Sequence, residues 1–245
     1  MTTFTGTDDL RGAEFLDADL HGARFVRTYL SDAVMRGVDV QGMQIEAPWL
    51  TEAPLWVNGV DVSPLVDAEL DRRFPGRALR RATTPEGLRD AWAALERTWA
   101  ETIDRAARMP AGTVDLSVDG EWTFAQTLRH LVMATDTWLR WAVLGLEQPY
   151  HPIGQPHEEF ATDGYDTSVF SADTPAYADV LEVRAERVAM VRDFLAGVSP
   201  RDLEEPRASP WSPEHRRSVL ECLHVILREE WEHHRYAVRD LDALI

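Results

Sequence analysis

The sequence predicts a mainly α protein: a four-helix bundle over residues 84–245, a connector with one short helix at 51–83, and a small solenoid at 1–50. Three observations carry this expectation. The first fifty residues repeat every five positions, a period that neither helix nor strand produces. Four later stretches place apolar residues at helical spacing behind recognisable start signals. The second and third connections between those stretches are long and proline-rich, as in bundles with wide crossovers.

Composition sets the outer limits. With 245 residues, 44% of them hydrophobic, the chain is long enough to bury a real core. Forty-two acidic against 25 basic residues give a formal charge of −17. A field of that sign repels phosphate backbones, and no basic run offsets it, so nucleic acid is not an expected partner. No apolar run approaches the roughly 18–20 residues that span a bilayer, so no membrane is expected either. The start, MTTFTGTDDLRGAEF, lacks the basic and apolar regions of a secretion signal, which predicts a cytoplasmic protein. A single cysteine, Cys222, excludes an internal disulfide framework and any multi-cysteine metal cluster.

The solenoid is read from its pentads: DDLRG, AEFLD, ADLHG, ARFVR, TYLSD, AVMRG, VDVQG, MQIEA. Their central residues are Leu10, Phe15, Leu20, Phe25, Leu30, Met35, Val40 and Ile45, with a mostly small residue two positions earlier. Each such unit buries its apolar residue only by stacking on its neighbours. Gly12, Ala13, Phe15, Ala18, Asp19, Leu20, Ala23 and Phe25 resemble the pentapeptide-repeat family. That resemblance implies a four-sided right-handed β-helix of about two coils, with a structural or homodimerising role. Val38 and Met43 depart from the small-residue rule. Arg11, Arg24, Arg27 and Arg36 interrupt the acids, which argues against mimicry of DNA.

From residue 50 the pattern changes. Pro48, Pro54 and Pro64 punctuate the connector, and Asn58-Gly59 marks a short hairpin. Residues 64–73 read as a helix stopped by Phe74-Pro75-Gly76. The first long helix opens at Thr84-Pro85-Glu86, with proline at its first position, and runs to about Met109. The second starts at the capping box Thr123–Gln126 and runs to about Leu144. The third opens at Thr174-Pro175 and ends before Gly197. The fourth is expected from about Pro213 to Leu244.

That last helix holds an anomaly. At 100° per residue, Val219, Leu223, Ile226, Ala237 and Leu241 all lie within about 40° of Glu230, so an acid sits at the centre of the buried stripe. His234, one turn on, lies about 40° away on the same stripe. A lone buried glutamate costs several kcal/mol unless paired, hydrogen-bonded or bound to a cation. Glu229 and Glu232 point to the flanks, where solvated acids belong; His233 falls at the stripe's margin and His224 farther off. In the second helix, His130 shares an arc with Met133, Ala134, Trp141 and Leu144 and is expected to point inward.

His130, Glu230 and His234 therefore make a usable site for a divalent ion, and three protein ligands leave a position open for water or substrate. A plain buried Glu–His salt bridge, with His130 unrelated, is the alternative that spacing leaves standing. EWTFAQTLRHLVMATDTWLR and REEWEHHRYAVRDLDAL resemble the second and last helices of the DinB/YfiT-like superfamily, and a His, Glu, His set is similar to that of its mycothiol-dependent maleylpyruvate isomerase branch. Carried over, the ligands are His130, Glu230 and His234. The resemblance implies one divalent ion, Zn²⁺ foremost and Ni²⁺, Mn²⁺ or Fe²⁺ as alternatives. It also implies a low-molecular-weight thiol such as mycothiol, an electrophilic substrate and a thiol S-transferase. A metal-dependent hydrolase and a non-enzymatic interaction protein with a retained metal site stay open. Cys222 lies off the ligand stripe and reads as a small core or flank residue.

Overall fold

The computed structural model describes residues 2–6, 8–50 and 52–245. The chain forms two compact units, Met1–Glu46 and Ala47–Ile245.

In the first unit the five-residue period appears as corners. Gly12, Asp17, Gly22, Arg27, Asp32, Gly37 and Gly42 all take positive φ, five residues apart. Alternate corners close through a backbone bond from Ala13 to Leu10, Ala23 to Leu20, Ala33 to Leu30 and Met43 to Val40. The third position of each such turn needs the left-handed conformation, which glycine and, less readily, aspartate supply. Among the described residues no strand is formed here, so the expected β-helix is represented by its corners alone. The central apolar residues, Leu10 to Ile45, remain between 45% and 57% exposed, so stacking covers about half of each.

The second unit is helical, with two small hairpins. Strands β1 (Trp56–Val57) and β2 (Val60–Asp61) pair across Asn58-Gly59, as the dipeptide predicts. Helix α1 (Ser63–Arg73) follows, then a 3₁₀ turn at Arg77–Arg81. The segment expected to connect is in fact packed onto the helices. Buried Arg77 binds Asp67 and Asp71 at 2.8 and 2.7 Å and approaches Glu232 of the last helix at 3.5 Å. A Cβ at Gly76 would sit 3.1 Å from the Ala94 Cβ, so only glycine permits this approach.

The longer helices surround the core. Helix α2 (Pro85–Ala107) is capped by the Thr84 hydroxyl, which accepts from Gly87 N–H. Helix α3 (Phe124–Thr135) has the full Thr123/Gln126 capping box and passes into a π-helical stretch, Asp136–Val143. Helices α4 (Tyr177–Gly197), the short α5 (Pro200–Leu203) and α6 (Val219–Ala243) complete the set. Both α2 and α3 pack against α4 and α6, around Leu88, Leu95, Leu128, Leu139, Ile226, Trp231 and Leu241.

Helix α6 starts six residues later than expected. Ser212-Pro213-Glu214 imitates a helix start, yet residues Ser212–Ser218 form β4, antiparallel to β3 (Pro206–Ser209). The true cap is Ser218, whose side chain accepts from Glu221 N–H while Glu221 accepts from Ser218 N–H.

Candidate metal centre

Helices α3 and α6 bring together His130, Glu229 and His233, with one ligand atom of each within 4.8 Å of the others. Among the described residues this is the one grouping of three or more such side chains that can hold a metal ion. Glu229 and His233 stand one turn apart on α6, a spacing that aims both side chains the same way. His130 comes from the middle of α3 and is 8% exposed.

The local bonds set the donor atoms. His130 Nδ1 lies 2.9 Å from the Gln155 carbonyl, which can only accept, so Nδ1 carries a proton and Nε2 is the atom turned toward the cluster. That Nε2 lies 3.6 Å from Glu229 Oε2. His233 Nδ1 donates to the Glu229 carbonyl at 2.9 Å, which leaves its Nε2 free. The two imidazoles stack 4.7 Å apart at 29°, and Trp122 lies 4.7 Å from one and 6.1 Å from the other.

Protonation suits a cation. Burial opposes charge on Glu229, but the His130 hydrogen bond and the fields of His233, His130 and Arg228 outweigh it and hold the carboxyl down at about 2. Burial, and then the proximity of His130, push His233 down to about 4. At neutral pH the site therefore presents an ionised carboxylate beside a neutral imidazole. Two nitrogens and one oxygen form a donor set for Zn²⁺ or a similar divalent ion. The His130–Gln155 bond supplies the outer support that metal-ligating histidines use. The residues present fit a metal.

His130 stands where the sequence places it, but Glu230 and His234 do not join it. Glu230 is 1% exposed, as the helical wheel requires. Its partner is Arg184 of α4, 3% exposed, one of whose nitrogens donates to both carboxylate oxygens at 2.6 and 2.5 Å. Burial raises the Glu230 carboxyl, with Arg184 opposing. His234 meets the Thr102 hydroxyl at 2.9 Å. That hydroxyl gives its own proton to the Thr98 carbonyl, so His234 Nε2 is the donor and Nδ1 is left without a partner. Trp99, Phe74 and Trp231 meet the imidazole edge-on, and burial pushes it down to about 4.

The expected ligand pair is thus displaced by one residue. A helix in a bundle has more than one neighbour, and the centre of the α6 stripe meets α2 and Arg184 of α4. Glu229 and His233 lie about 100° and 60° round from Glu230, on the side that meets His130 of α3. Glu229 is not a solvated flank residue, and His233 is not peripheral. The sequence EEWEHH contains both registers, and spacing cannot choose between them. The signal that could have chosen is Arg184, a charge inside the third helix that must itself find a buried partner.

Other sequence candidates stay apart from the site. Cys222 is fully buried, and burial raises its thiol to about 11, so it is no nucleophile. His224 Nε2 bonds the Ala82 carbonyl at 2.8 Å. No helix among the described residues is long and apolar enough to cross a membrane.

Comparison with known families agrees with this architecture. A family model described as the DinB superfamily matches residues 94–237, and one for pentapeptide repeats matches eight copies over residues 9–46. No curated protein and no solved structure matches the chain.

Proposed function

The chain belongs to the DinB superfamily, and from that premise we propose that His130, Glu229 and His233 hold a divalent cation in a metal-dependent enzyme that works with a low-molecular-weight thiol. The observation that carries the reading is the convergence of their ligand atoms within 4.8 Å. A divalent ion held by these three groups would stabilise a thiolate over its thiol.

The chain's own residues do the rest. Gln155 fixes the His130 tautomer and turns its Nε2 toward the cluster. The Glu229 carbonyl does the same for His233. Trp122 forms an aromatic wall over both imidazoles. Cys222 being inert, the sulfur nucleophile comes from a small molecule, and S-transfer to an electrophile is the reaction class. We also read residues 1–46 as a short right-handed β-helix, supported by the eight repeat copies and the five-residue spacing of positive-φ corners.

Metal analysis of the purified protein tests the site, with one equivalent expected. Thiols are then titrated while the melting temperature is followed, because a ligand of the folded state raises it by mass action. Thiol-dependent consumption of a generic electrophile supports the transferase. Thiol-independent ester or amide cleavage replaces it with a hydrolase.

A further inference from the structure

Among the described residues four arginines are buried: Arg77, Arg129, Arg184 and Arg187. Three of them face acids. Arg77 binds Asp67 and Asp71, Arg184 binds Glu230, and Arg187 Nε donates to Asp136 at 2.6 Å. A guanidinium does not give up its charge in a protein, so burial without a counter-charge is costly. Arg129 is the exception. It is 8% exposed, yet no carboxylate among the described residues pairs with it.

What holds Arg129 is backbone. Its Nε donates to the Ile153 carbonyl at 2.8 Å, and Gln155 N–H donates back to the Arg129 carbonyl at 3.1 Å. These two bonds lay residues 153–155 along α3 and fix the stem of the side chain. A guanidinium has five N–H donors, and Nε accounts for one. The four on the two Nη atoms meet no acceptor among the described residues. Neither Nη is sealed in the interior without a partner, as Arg184 Nη1 and Trp99 Nε1 are, so the outer edge of the fork reaches solvent through a small opening. That edge carries two parallel N–H groups, the geometry that receives both oxygens of one carboxylate.

We propose that Arg129 is the recognition site for the carboxylate of a small molecule, which supplies the counter-charge that the fold gives to the other three buried arginines and not to this one. The narrow opening suits a small anion rather than the surface of another macromolecule. Binding here needs no metal ion. The subsite is nonetheless close to the candidate centre along the chain. Arg129 adjoins His130, and the two side chains are held by the carbonyls of Ile153 and Gln155, two residues and at most about 7 Å of chain apart.

The test uses the full chain with isotope-labelled arginine. Sodium acetate is titrated against sodium chloride at constant ionic strength, with inorganic phosphate as a parallel series. Two readouts are followed: the Arg129 Nε–H signal in nitrogen–proton NMR spectra, identified by its loss in Arg129→Met, and the melting temperature. In wild type the signal should move saturably with acetate, at about a tenfold lower concentration than chloride needs, since chloride has no paired oxygens. Acetate should also raise the melting temperature above that in chloride, by mass action. Arg129→Met should lose that difference, whereas Arg192→Met, which removes an exposed arginine of α4, should keep it. Should Arg129→Met fail to fold, Arg129→Lys replaces it; the lysine keeps the charge without the fork and should weaken acetate binding. Equal responses to acetate and chloride, or a stronger one to phosphate, overturn the proposal. So does acetate stabilisation that survives in Arg129→Met or stands undiminished in Arg129→Lys.

Discussion

Replacing Arg184 by methionine removes the counter-charge of Glu230, which is 1% exposed and accepts from Arg184 through both oxygens. Removing one partner of a buried pair costs about 3–5 kcal/mol, because the other charge is left in a medium that solvates it poorly. For a unit of this size that is a loss of roughly 6–20 °C in melting temperature. The loss should deepen with pH. The Glu230 carboxyl is already raised above its unfolded value, and without Arg184 it rises further, so the variant sheds stability as pH climbs through that folded value. Replacing both residues, Arg184→Met with Glu230→Leu, should return stability to within about 1 kcal/mol of wild type or above it, since an apolar pair needs no counter-charge. The assay is urea and thermal unfolding by circular dichroism with a chelator present, so that metal binding does not add its own stabilisation. Metal uptake is measured separately and should survive in Glu230→Leu with Arg184→Met. A cost below 1 kcal/mol for Arg184→Met, joined to loss of metal uptake in the double variant, would refute the assignment of Glu230 to the core.

Three further outcomes follow from the same geometry. Thr102→Val strands the His234 Nε2–H inside the core and should cost about 1–3 kcal/mol in chemical unfolding without changing metal stoichiometry. His233 and His234 are held at about 4 in the folded state against 6.5 unfolded. The unfolded chain therefore binds more protons between those values, and metal-free stability should be full above pH 6.5 and fall toward pH 4, by at most about 3 kcal/mol per histidine. In His234→Phe that acid loss should shrink by about half. Cys222, fully buried with its thiol at about 11, should resist alkylation in the native protein and react promptly in denaturant, as a timed thiol assay will read.

Features written in local chemistry were legible in the sequence. Thr84-Pro85, the Thr123/Gln126 box and Asn58-Gly59 each specify a short-range backbone geometry, and each forms as read. The pentad period was legible for the same reason, because every fifth residue makes the same corner. Features decided by distant partners were not. Ser212-Pro213 has a helix start's chemistry but lies in a strand because residues 206–209 pair with it. Arg77 turns a presumed connector into a packed element by reaching Glu232. Glu230 was rightly found in the core, yet its role depended on Arg184, 46 residues earlier. The cluster in the structure shares its two helices and His130 with the set read from the sequence, and has Glu229 and His233 where the sequence pointed to Glu230 and His234.

Zinc uptake by equilibrium dialysis on three proteins tests the central assignment most directly. Wild type and His234→Phe should each bind one equivalent, and a Glu229→Ala/His233→Ala double variant that keeps the wild-type circular dichroism should bind none. Full zinc retention by that double variant, or loss of zinc in a folded His234→Phe, would contradict the assignment of the centre to His130, Glu229 and His233.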